Sequence, residues 1–436
     1  MPELTLQQKL EKRKLHPVNR AFFGFLANVV VKGALVKKYN VHFSYKDDVS
    51  AYRGQSYVVV SNHASRMDYV FTAPAFLPDS FNFVVGWNEF FRSHLAFILR
   101  AAQVIPKKNF VSQPYSIRQI IRVIRAGGRI ILLPEGMSSI SGANQPCARG
   151  SGHLLKNLGV PVLYTKIAGG YLTAPKYNLT DRIGRVDVEA GVLFTPEQLR
   201  EMSADEIQRE LDVKLYHDDY AWNKTARVKF SGKGRMAENM HQLLFWCPQC
   251  GSMLTTESSG DTIRCRKCGC SGHLNEYYDL IPDGDSRLPE TPRVWFDMQR
   301  EAVRKLVSEP GYELTEHVRI GILPPDRYLK KQATSEIAGD GTLRLNAEGL
   351  HFSGTRLGQP WSFDIPIRQL PTYGMCTDVS RFYTFVDGEF TEFYPDRDST
   401  ELWFMATEEL HRQAVPGDNA RLRVGRAVPA DNASRT

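Results

Sequence analysis

Hydrophobic positions in the first half of the chain fall into two kinds of segment that alternate along the sequence. Short β-branched runs at 56–61, 81–86, 129–133 and 159–164 are predicted to be buried strands. Amphipathic stretches with helical spacing separate these runs, and a pair of glycines ends one of them. The predicted helices are 89–100, 116–126, 152–158 and a closing helix within 196–214. Strands that alternate with helices predict an α/β fold with a mainly parallel sheet.

From about residue 318 the pattern changes to short alternating or aromatic segments separated by glycine-containing turns. The predicted strands are 341–345, 349–352, 361–365, 383–386 and 391–394, with helices at 291–307 and 399–411. This indicates a β-rich domain over 282–414, which resembles a small barrel of the pleckstrin-homology or GRAM type in architecture alone. Such barrels bind lipids or proteins, and a scaffold or dimerisation role fits the pattern equally well. The polar, arginine-rich residues 415–436 predict a disordered tail.

Length and composition exclude several classes of protein. With 436 residues, of which 42% are hydrophobic and 24% charged, the chain is expected to form two or three globular domains. No run reaches the roughly 18 apolar residues that a transmembrane helix needs, which excludes a fully embedded membrane protein. Seven cysteines are too few for a disulfide scaffold and favour a reducing, cytoplasmic setting.

The positive charge is concentrated at the N-terminus. The formal net charge is +7, and residues 1–38 supply most of it, with eight Lys or Arg against two acids. Within this arm the apolar segment 21–36 is interrupted by Asn28 and Lys32. It suits a helix that lies in the interface of an anionic membrane, and it equally suits an amphipathic helix packed on its own domain. We predict residues 1–40 to be a membrane-associating arm, which would place a peripheral or monotopic protein on the cytoplasmic face.

A histidine and an aspartate follow the first predicted strand. His63 comes directly after the run 56–61, and Asp68 lies in the first turn of the next predicted helix, close enough for the two side chains to meet. Parallel sheets place their sites at this edge. A carboxylate on one imidazole nitrogen fixes the tautomer and leaves the other nitrogen as a general base for an alcohol. Alone, a His-x4-Asp spacing is weak evidence for a catalytic pair, because chance matches are common.

Further candidate residues follow other predicted strands, and together they carry a resemblance. Lys107 and Lys108 end the segment QVIPKK (103–108), and Glu135 and Gly136 end LLPEG (132–136). With NHASRMD (62–68) and GVPVL (159–163), these segments resemble the four ordered blocks of the glycerolipid acyltransferase family, best known for the 1-acylglycerol-3-phosphate acyltransferases. The resemblance covers roughly residues 40–215, and we take 41–235 as the acyltransferase domain.

The resemblance implies a reaction and a role for each residue. His63, oriented by Asp68, would deprotonate the hydroxyl of a lyso-glycerolipid, which would attack the thioester of acyl-CoA or of acyl-carrier protein. Glu135 and Gly136 would shape the acceptor site, and Lys108, with Lys107 as the alternative, would hold phosphate. The expected product is phosphatidic acid, made from 1-acylglycerol 3-phosphate.

One departure from the family pattern concerns the headgroup. Thr-Arg-Ser usually follows Glu-Gly in the third block, whereas this chain has Met137, Ser138 and Ser139. The missing arginine commonly helps to hold phosphate; Arg149 at the next helix start, with Lys108, is the expected compensation. Another lyso-phospholipid, glycerol 3-phosphate or a non-phosphorylated alcohol therefore stays open as the acceptor.

Four cysteines predict a separate metal site. They occur as two Cys-x2-Cys pairs, each followed by glycine: Cys247, Cys250, Cys265 and Cys268. This spacing is typical of a zinc ribbon, here predicted over 236–281, in which four thiolates hold a structural Zn²⁺ with no open position for water.

Two further classes of protein compete with the enzyme. A ribbon can bind nucleic acid, but basic residues around this one are few and the charged arm lies elsewhere, so no nucleic-acid partner is expected. A non-catalytic lipid-binding adaptor is the other alternative, and His63, Asp68 and Glu135 argue against it.

Overall fold

The N-terminal arm is helical over most of its length. The computed structural model describes residues 4–111, 113–330, 333–376 and 378–416. After α1 (Leu6–Glu11), helix α2 (Arg20–Phe25) continues without a break through a π-helical segment (Leu26–Leu35) into α3 (Val36–Lys38). The side chain of Asn19 caps α2 by accepting a hydrogen bond from the backbone amide of Phe22 over 3.0 Å. Among the described residues, no helix combines the length and the apolar character needed to cross a membrane.

A seven-stranded sheet forms the centre of the N-terminal part of the chain, which we call the first unit. Its strands are β1 (Val41–Tyr45), β2 (Val58–Ser61), β3 (Asn82–Gly86), β4 (Ile105–Lys107), β5 (Ile130–Leu132), β6 (Val162–Ala168) and β7 (Val186–Phe194). They are ordered β1-β7-β6-β2-β5-β3-β4. Only the β6–β7 pair is antiparallel. The predicted α/β fold with a mainly parallel sheet is therefore confirmed.

Helices cover both faces of this sheet. They are α4 (Asp68–Thr72), α5 (Ser93–Ala101), α6 (Pro114–Arg125), α7 (Ser151–Leu158), α8 (Gly170–Thr173), α9 (Pro196–Glu201), α10 (Ala204–Leu215) and α11 (Asp219–Ala226). Successive strand residues point to opposite faces. Val58 and Val60 pack with α6, α7, α9 and α10, on what we call the α6 face. Tyr57 and Val59 pack with α2 and the start of the π-helical segment, on what we call the arm face.

A small antiparallel sheet follows at the predicted ribbon. Its strands are β8 (Thr256–Ser259), β9 (Thr262–Cys265), β10 (Ser271–Leu274) and β11 (Leu280–Pro282), in the order β11-β10-β9-β8. It does not stand apart from the first unit. The hydroxyl of Tyr278 donates to the carbonyl oxygen of Leu172 over 2.5 Å, and both residues belong to one large buried cluster. The ribbon is therefore packed against the first unit.

The C-terminal part of the chain, which we call the C-terminal unit, is an antiparallel sheet with one helix before it and one after it. After α12 (Pro292–Val307) come β12 (Glu313–Ile322), β13 (Glu336–Asn346), β14 (Gly349–Arg356), β15 (Gln359–Pro366), β16 (Gly374–Met375), β17 (Phe382–Val386) and β18 (Glu389–Pro395), and then α13 (Thr400–Ala414). The strand order is β15-β14-β13-β12-β18-β17-β16. The predicted β-rich character is confirmed. The sheet is open among the described residues, because β15 and β16 are its two ends.

The domain boundaries at 40, 235, 281 and 414 stay predictions, and one buried cluster is shared across those at 235 and 281. It joins Tyr171 of α8 to Trp295 of α12 and Trp403 of α13, all three of which are buried. The tail predicted for 415–436 lies outside the described residues from 417 onward.

Candidate active site and metal site

The loop after β2 carries His63, and β6 holds this loop in place. The side-chain amide of Asn62 donates to the carbonyl oxygen of Ile167 over 2.9 Å and accepts from the backbone amide of Ile167 over 2.7 Å. Asn62 is buried, so this two-way bond fixes the end of one parallel strand against its neighbour. The loop then turns into α4, whose first residue is Asp68. His63 and Asp68 therefore reach the carboxyl edge of the sheet from either end of a short loop.

The predicted contact between His63 and Asp68 is present. Nδ1 of His63 lies 2.7 Å from Oδ2 of Asp68. The other carboxylate oxygen, Oδ1, accepts from the backbone amide of Ser65 over 2.9 Å and from its hydroxyl over 3.3 Å. Both oxygens of the carboxylate are thus engaged, and the imidazole is held by a group that cannot itself rotate freely.

Burial differs sharply between the two partners. The side chain of Asp68 is 1% exposed and that of His63 is 20% exposed. Burial raises the pKa of Asp68, while its hydrogen bonds to His63 and Ser65 act in the opposite direction. A carboxylate beside Nδ1 favours the tautomer with hydrogen on that nitrogen, which leaves Nε2 as the acceptor. The arrangement suits a general base that takes a proton from a bound hydroxyl.

Glu135 lies behind His63 and contacts its backbone. It follows β5 in the turn Pro134-Glu135-Gly136, and its Oε1 accepts from the backbone amide of His63 over 2.7 Å. Its Oε2 accepts from the backbone amide of Gln145 over 2.8 Å. Burial raises the pKa of Glu135 to about 8. Glu135 is only 3% exposed, and in this structure its carboxyl group holds two loops together at the sheet edge.

The segment that continues from Glu135 also holds His63. The backbone amide of Ser139 donates to the carbonyl oxygen of His63 over 2.8 Å. Between the two contacts, Gly136 has a left-handed φ of 80°. A side chain built there would meet the ring of Phe110 at 3.6 Å. The Pro-Glu-Gly turn therefore lies between His63 and the loop that follows Lys107 and Lys108.

Lys108 contacts groups of its own chain away from His63. Its ammonium donates to the carbonyl oxygen of Gly388 over 2.8 Å and lies 3.6 Å from Oε1 of Glu11. It also lies 5.0 Å from the ring centre of Trp87. Lys108 lines a cleft of about 480 Å³ that does not include His63 among its lining residues. The role of Lys108 in holding phosphate stays a prediction.

The other two predicted cations lie at the edges of the same region. Lys107 is the last residue of β4 and is half-buried. Arg149 is exposed and precedes Gly150, which caps the start of α7. The backbone amide of Ala148 donates to the carbonyl oxygen of Pro134 over 2.8 Å, so Arg149 is one residue from a contact with the Pro-Glu-Gly turn.

Sequence reasoning missed Lys176. Its ammonium donates to the hydroxyl of Ser138 over 3.1 Å, at the position where the family pattern has its arginine. Lys176 is 7% exposed, and burial lowers its pKa to about 8. Arg66 is close enough to lower that pKa further, while acidic groups of the C-terminal unit raise it. No sequence signal identifies Lys176, because it lies 38 residues beyond Ser138 in an irregular segment.

Residues 40–165 match the family model described as Acyltransferase. That match spans the His63 loop, β5 and the Pro-Glu-Gly turn. The match supports an enzyme of the O-acyltransferase class, in line with the resemblance found in the sequence.

Part of the chain is similar to solved structures. One of them is the crystal structure of the 1-acyl-sn-glycerophosphate (LPA) acyltransferase from Thermotoga maritima, at 19% sequence identity and a TM-score of 0.39. The similarity covers 48% of this chain and 81% of that one.

Outside the acyltransferase domain, the four predicted cysteines come together. Sγ of Cys247 lies 3.7 Å from Sγ of Cys268, and Sγ of Cys250 lies 3.9 Å from Sγ of Cys265. All four sulfur atoms lie within 4.8 Å of one another. Metal–sulfur bonds of about 2.3 Å in a tetrahedron place the sulfur atoms about 3.8 Å apart. The set therefore fits one tetrahedral metal ion.

The glycines after each cysteine pair have the conformation that this geometry needs. Gly251 and Gly269 have φ values of 71° and 77°. Their amides donate to the carbonyl oxygens of Cys247 and Cys265 over 2.9 and 3.0 Å. These tight turns bring each pair of thiols to the same side of the backbone. Cys270 is buried nearby but is not one of the four.

Proposed function

We propose that this protein transfers a fatty acyl group from a thioester donor to the free hydroxyl of a lyso-glycerolipid. The observation that carries the proposal is the 2.7 Å contact between His63 Nδ1 and Asp68 Oδ2 at the carboxyl edge of the mainly parallel sheet. The acyltransferase domain that contains both residues supports the reaction class. Acyl-CoA and acyl-carrier protein are the donors that this chemistry accepts.

Each residue takes one step in the proposed reaction. Nε2 of His63 removes the proton of the acceptor hydroxyl as its oxygen attacks the thioester carbonyl. The carbon–sulfur bond breaks, an ester forms, and the proton passes from His63 to the leaving thiolate. Asp68 stabilises the imidazolium that exists between these transfers. Glu135 and Ser139 keep the backbone of His63 in position.

The favoured acceptor is 1-acylglycerol 3-phosphate, which would give phosphatidic acid. Lys176 supports this choice, because it brings a buried ammonium to Ser138 in a region that lacks the family's arginine. Arg149, Lys107 and Lys108 remain candidates for the same phosphate. An acceptor without a phosphate is the second candidate, since Ser138 itself carries no charge.

The arm supports association with an anionic membrane surface. Its helix from α2 to α3 packs on the arm face through Phe23 and Ala27. The opposite side exposes Phe25, Val29 and Val30, which are 62%, 57% and 43% exposed. Apolar side chains beside Lys32, Lys37 and Lys38 suit the interface of an anionic bilayer. We propose a peripheral or monotopic enzyme on the cytoplasmic face.

We further propose that the four cysteines hold Zn²⁺ in a structural role. Four sulfur ligands suit zinc and leave no coordination position for water or substrate. The ribbon packs against the acyltransferase domain through Tyr278, so the ion would stabilise this packed arrangement.

One assay tests the enzymatic proposal. Purified protein is incubated with lysophosphatidic acid and palmitoyl-CoA, and the products are identified by mass spectrometry. We expect phosphatidic acid from the wild type and at least a 1,000-fold lower rate from His63→Ala. The exposed His42 provides the matched control, since His42→Ala should keep full activity. Full activity in His63→Ala would remove His63 as the base, and lipid binding without turnover would favour the adaptor.

A panel of acceptors separates the candidate substrates. Lysophosphatidic acid, lysophosphatidylcholine, glycerol 3-phosphate and monoacylglycerol are compared at equal donor concentration. The proposal requires the highest kcat/KM for lysophosphatidic acid. A higher value for monoacylglycerol would identify the non-phosphorylated acceptor instead.

A further inference from the structure

Helix α6 presents a row of arginines on its exposed side. Arg118, Arg122 and Arg125 are exposed and lie three or four positions apart, so they share one side of the helix. They extend over about 10 Å along its axis. None of the three has an ion-pair, hydrogen-bond or ring partner in the described part of the chain. We call these three residues the α6 stripe.

The N-terminal arm lies beside this helix and adds further cations. The hydroxyl of Tyr115 donates to the carbonyl oxygens of Leu10 and Arg13 over 3.1 and 3.2 Å. The backbone amide of Leu15 donates to the side chain of Gln119 over 3.0 Å. Residues 10–15 thus run along α6 and leave Lys12 and Lys14 exposed beside it.

The segment of sequence that carries the stripe contains few acids. No Asp or Glu occurs in the sequence between Glu89 and Glu135, although Lys and Arg recur throughout that stretch. Glu11 is the only acid in the arm segment beside α6, and it lies 3.6 Å from Lys108. The α6 stripe and the segment around it are therefore positively charged and complement an acidic partner.

The stripe and the exposed apolar residues of the arm lie on opposite sides of the sheet. Ile120, Val123 and Ile124 of α6 pack on the α6 face, whereas Phe23 and Ala27 pack on the arm face. A flat bilayer that receives Phe25 and Val29 therefore faces away from the stripe. This placement favours a partner in solution over lipid.

A cleft joins one end of the stripe to the loop beside the candidate active site. Arg118 lines the cleft of about 480 Å³ together with Lys108, Tyr115 and Phe385. The loop that follows Lys108 reaches the Pro-Glu-Gly turn through Phe110 and Gly136. A carrier bound to α6 would thus lie beside the loop that contacts the Pro-Glu-Gly turn.

We propose that the α6 stripe, with Lys12 and Lys14, is the docking surface for an acidic carrier protein that delivers the acyl chain as a thioester. The proposal rests on the function proposed above and specifies its donor. The carrier's acidic surface pairs with the arginines, and its thioester-bearing arm enters the cleft. Because these charges are exposed, the interaction should weaken steeply with salt.

The test compares two donors that carry the same acyl chain. The variant R118E/R122E/R125E and the wild type are assayed with palmitoyl-acyl-carrier protein and with palmitoyl-CoA. We expect the ratio of kcat/KM for the carrier donor to that for the CoA donor to fall at least tenfold. The matched control K233E/K305E/R368E makes the same charge change at exposed sites elsewhere and should keep the wild-type ratio.

Each other outcome overturns the proposal. A ratio within twofold of the wild type means that the stripe does not recognise the carrier. Equal losses of kcat/KM with both donors would mean that the arginines bind a group that the two donors share. Weaker binding to anionic vesicles, with no other change, would mean that the arginines bind lipid. If the charge-reversed variant does not fold, R118Q/R122Q/R125Q replaces it.

A binding measurement separates this proposal from the proposed function. Fluorescence anisotropy of labelled acyl-carrier protein reports docking even when no turnover occurs with any acceptor. We expect the dissociation constant to rise at least tenfold in the stripe variant and with increasing salt in the wild type. An unchanged dissociation constant would overturn the docking surface whether or not the protein is an acyltransferase.

Discussion

Asp68 holds the imidazole of His63 from a buried position at the start of α4, with 2.7 Å between Oδ2 and Nδ1. Its other oxygen is held by the backbone amide and the hydroxyl of Ser65. The carboxylate therefore orients an imidazole that is itself partly exposed. In the proposed reaction it would also balance the charge of the imidazolium.

Replacing Asp68 should separate orientation from binding. In Asp68→Asn the amide keeps the volume but loses the charge and presents a different hydrogen-bonding pattern to Nδ1. We expect kcat to fall by about 100- to 10,000-fold, while the KM for the acceptor changes less than threefold. Steady-state kinetics with lysophosphatidic acid measures both constants. The control is Asp187→Asn, which alters a half-exposed carboxylate of β7. An Asp68→Asn variant with normal kcat would show that His63 needs no carboxylate.

Sequence reasoning located the edge of the sheet but not what covers it. His63, Asp68 and Glu135 follow predicted strands, and parallel topology brings strand ends together, so their proximity could be predicted. Lys176 could not, because its contact with Ser138 depends on how an irregular segment after α8 folds back. The same holds for Lys108, whose partner Gly388 lies 280 residues away in the C-terminal unit. Periodicity carries no information about such contacts.

The carboxyl group of Glu135 should make stability depend on pH. Its pKa rises to about 8 in the folded protein, so the folded state binds more protons than the unfolded state between about pH 4.5 and 8. Stability should therefore decrease as pH rises through that window. Urea unfolding at a series of pH values measures the free energy. Glu135→Gln removes this titrating group. The difference in the free energy of unfolding between the wild type and Glu135→Gln should therefore change across the pH window. A difference that stays constant from pH 5 to 8 would contradict the raised pKa.

Lys176 should determine how well a phosphorylated acceptor binds. In Lys176→Met the ammonium is lost while most of the buried volume is kept. We expect the KM for lysophosphatidic acid to rise at least tenfold and the KM for palmitoyl-CoA to stay within twofold. Lys176→Arg keeps the charge and should recover part of the loss. A thermal unfolding curve distinguishes a binding defect from a folding defect.

The pH dependence of acceptor binding provides a second readout for Lys176. Since burial lowers its pKa to about 8, the ammonium loses its proton above that pH in the free enzyme. The KM for lysophosphatidic acid should therefore rise between pH 8 and 9.5 in the wild type. The KM of Lys176→Arg should change less over this pH range, because arginine stays charged. Parallel profiles for the two proteins would exclude Lys176 from phosphate binding.

The four cysteines should bind one zinc ion per chain. Elemental analysis of purified protein is expected to give one equivalent in the wild type and less than a fifth of that in C250S/C265S. The variant should also unfold at a lower temperature, because the ribbon shares the large buried cluster with the acyltransferase domain. Cys270→Ser is the matched control, since Cys270 is buried beside the site but outside the set of four. Loss of zinc in Cys270→Ser alone would show that the ligand set is wrong.

The exposed apolar side of the arm should bind the enzyme to membranes. Phe25 and Val29 are 62% and 57% exposed, and burying such side chains in the acyl region contributes roughly 1.5–3 kcal/mol each. F25S/V29S should therefore bind vesicles containing 30% phosphatidylglycerol at least tenfold more weakly than the wild type in a sedimentation assay. Leu357→Ser removes a 68% exposed leucine from the C-terminal unit and should bind normally. Equal binding by F25S/V29S and the wild type would mean that the arm helix only packs on its own domain.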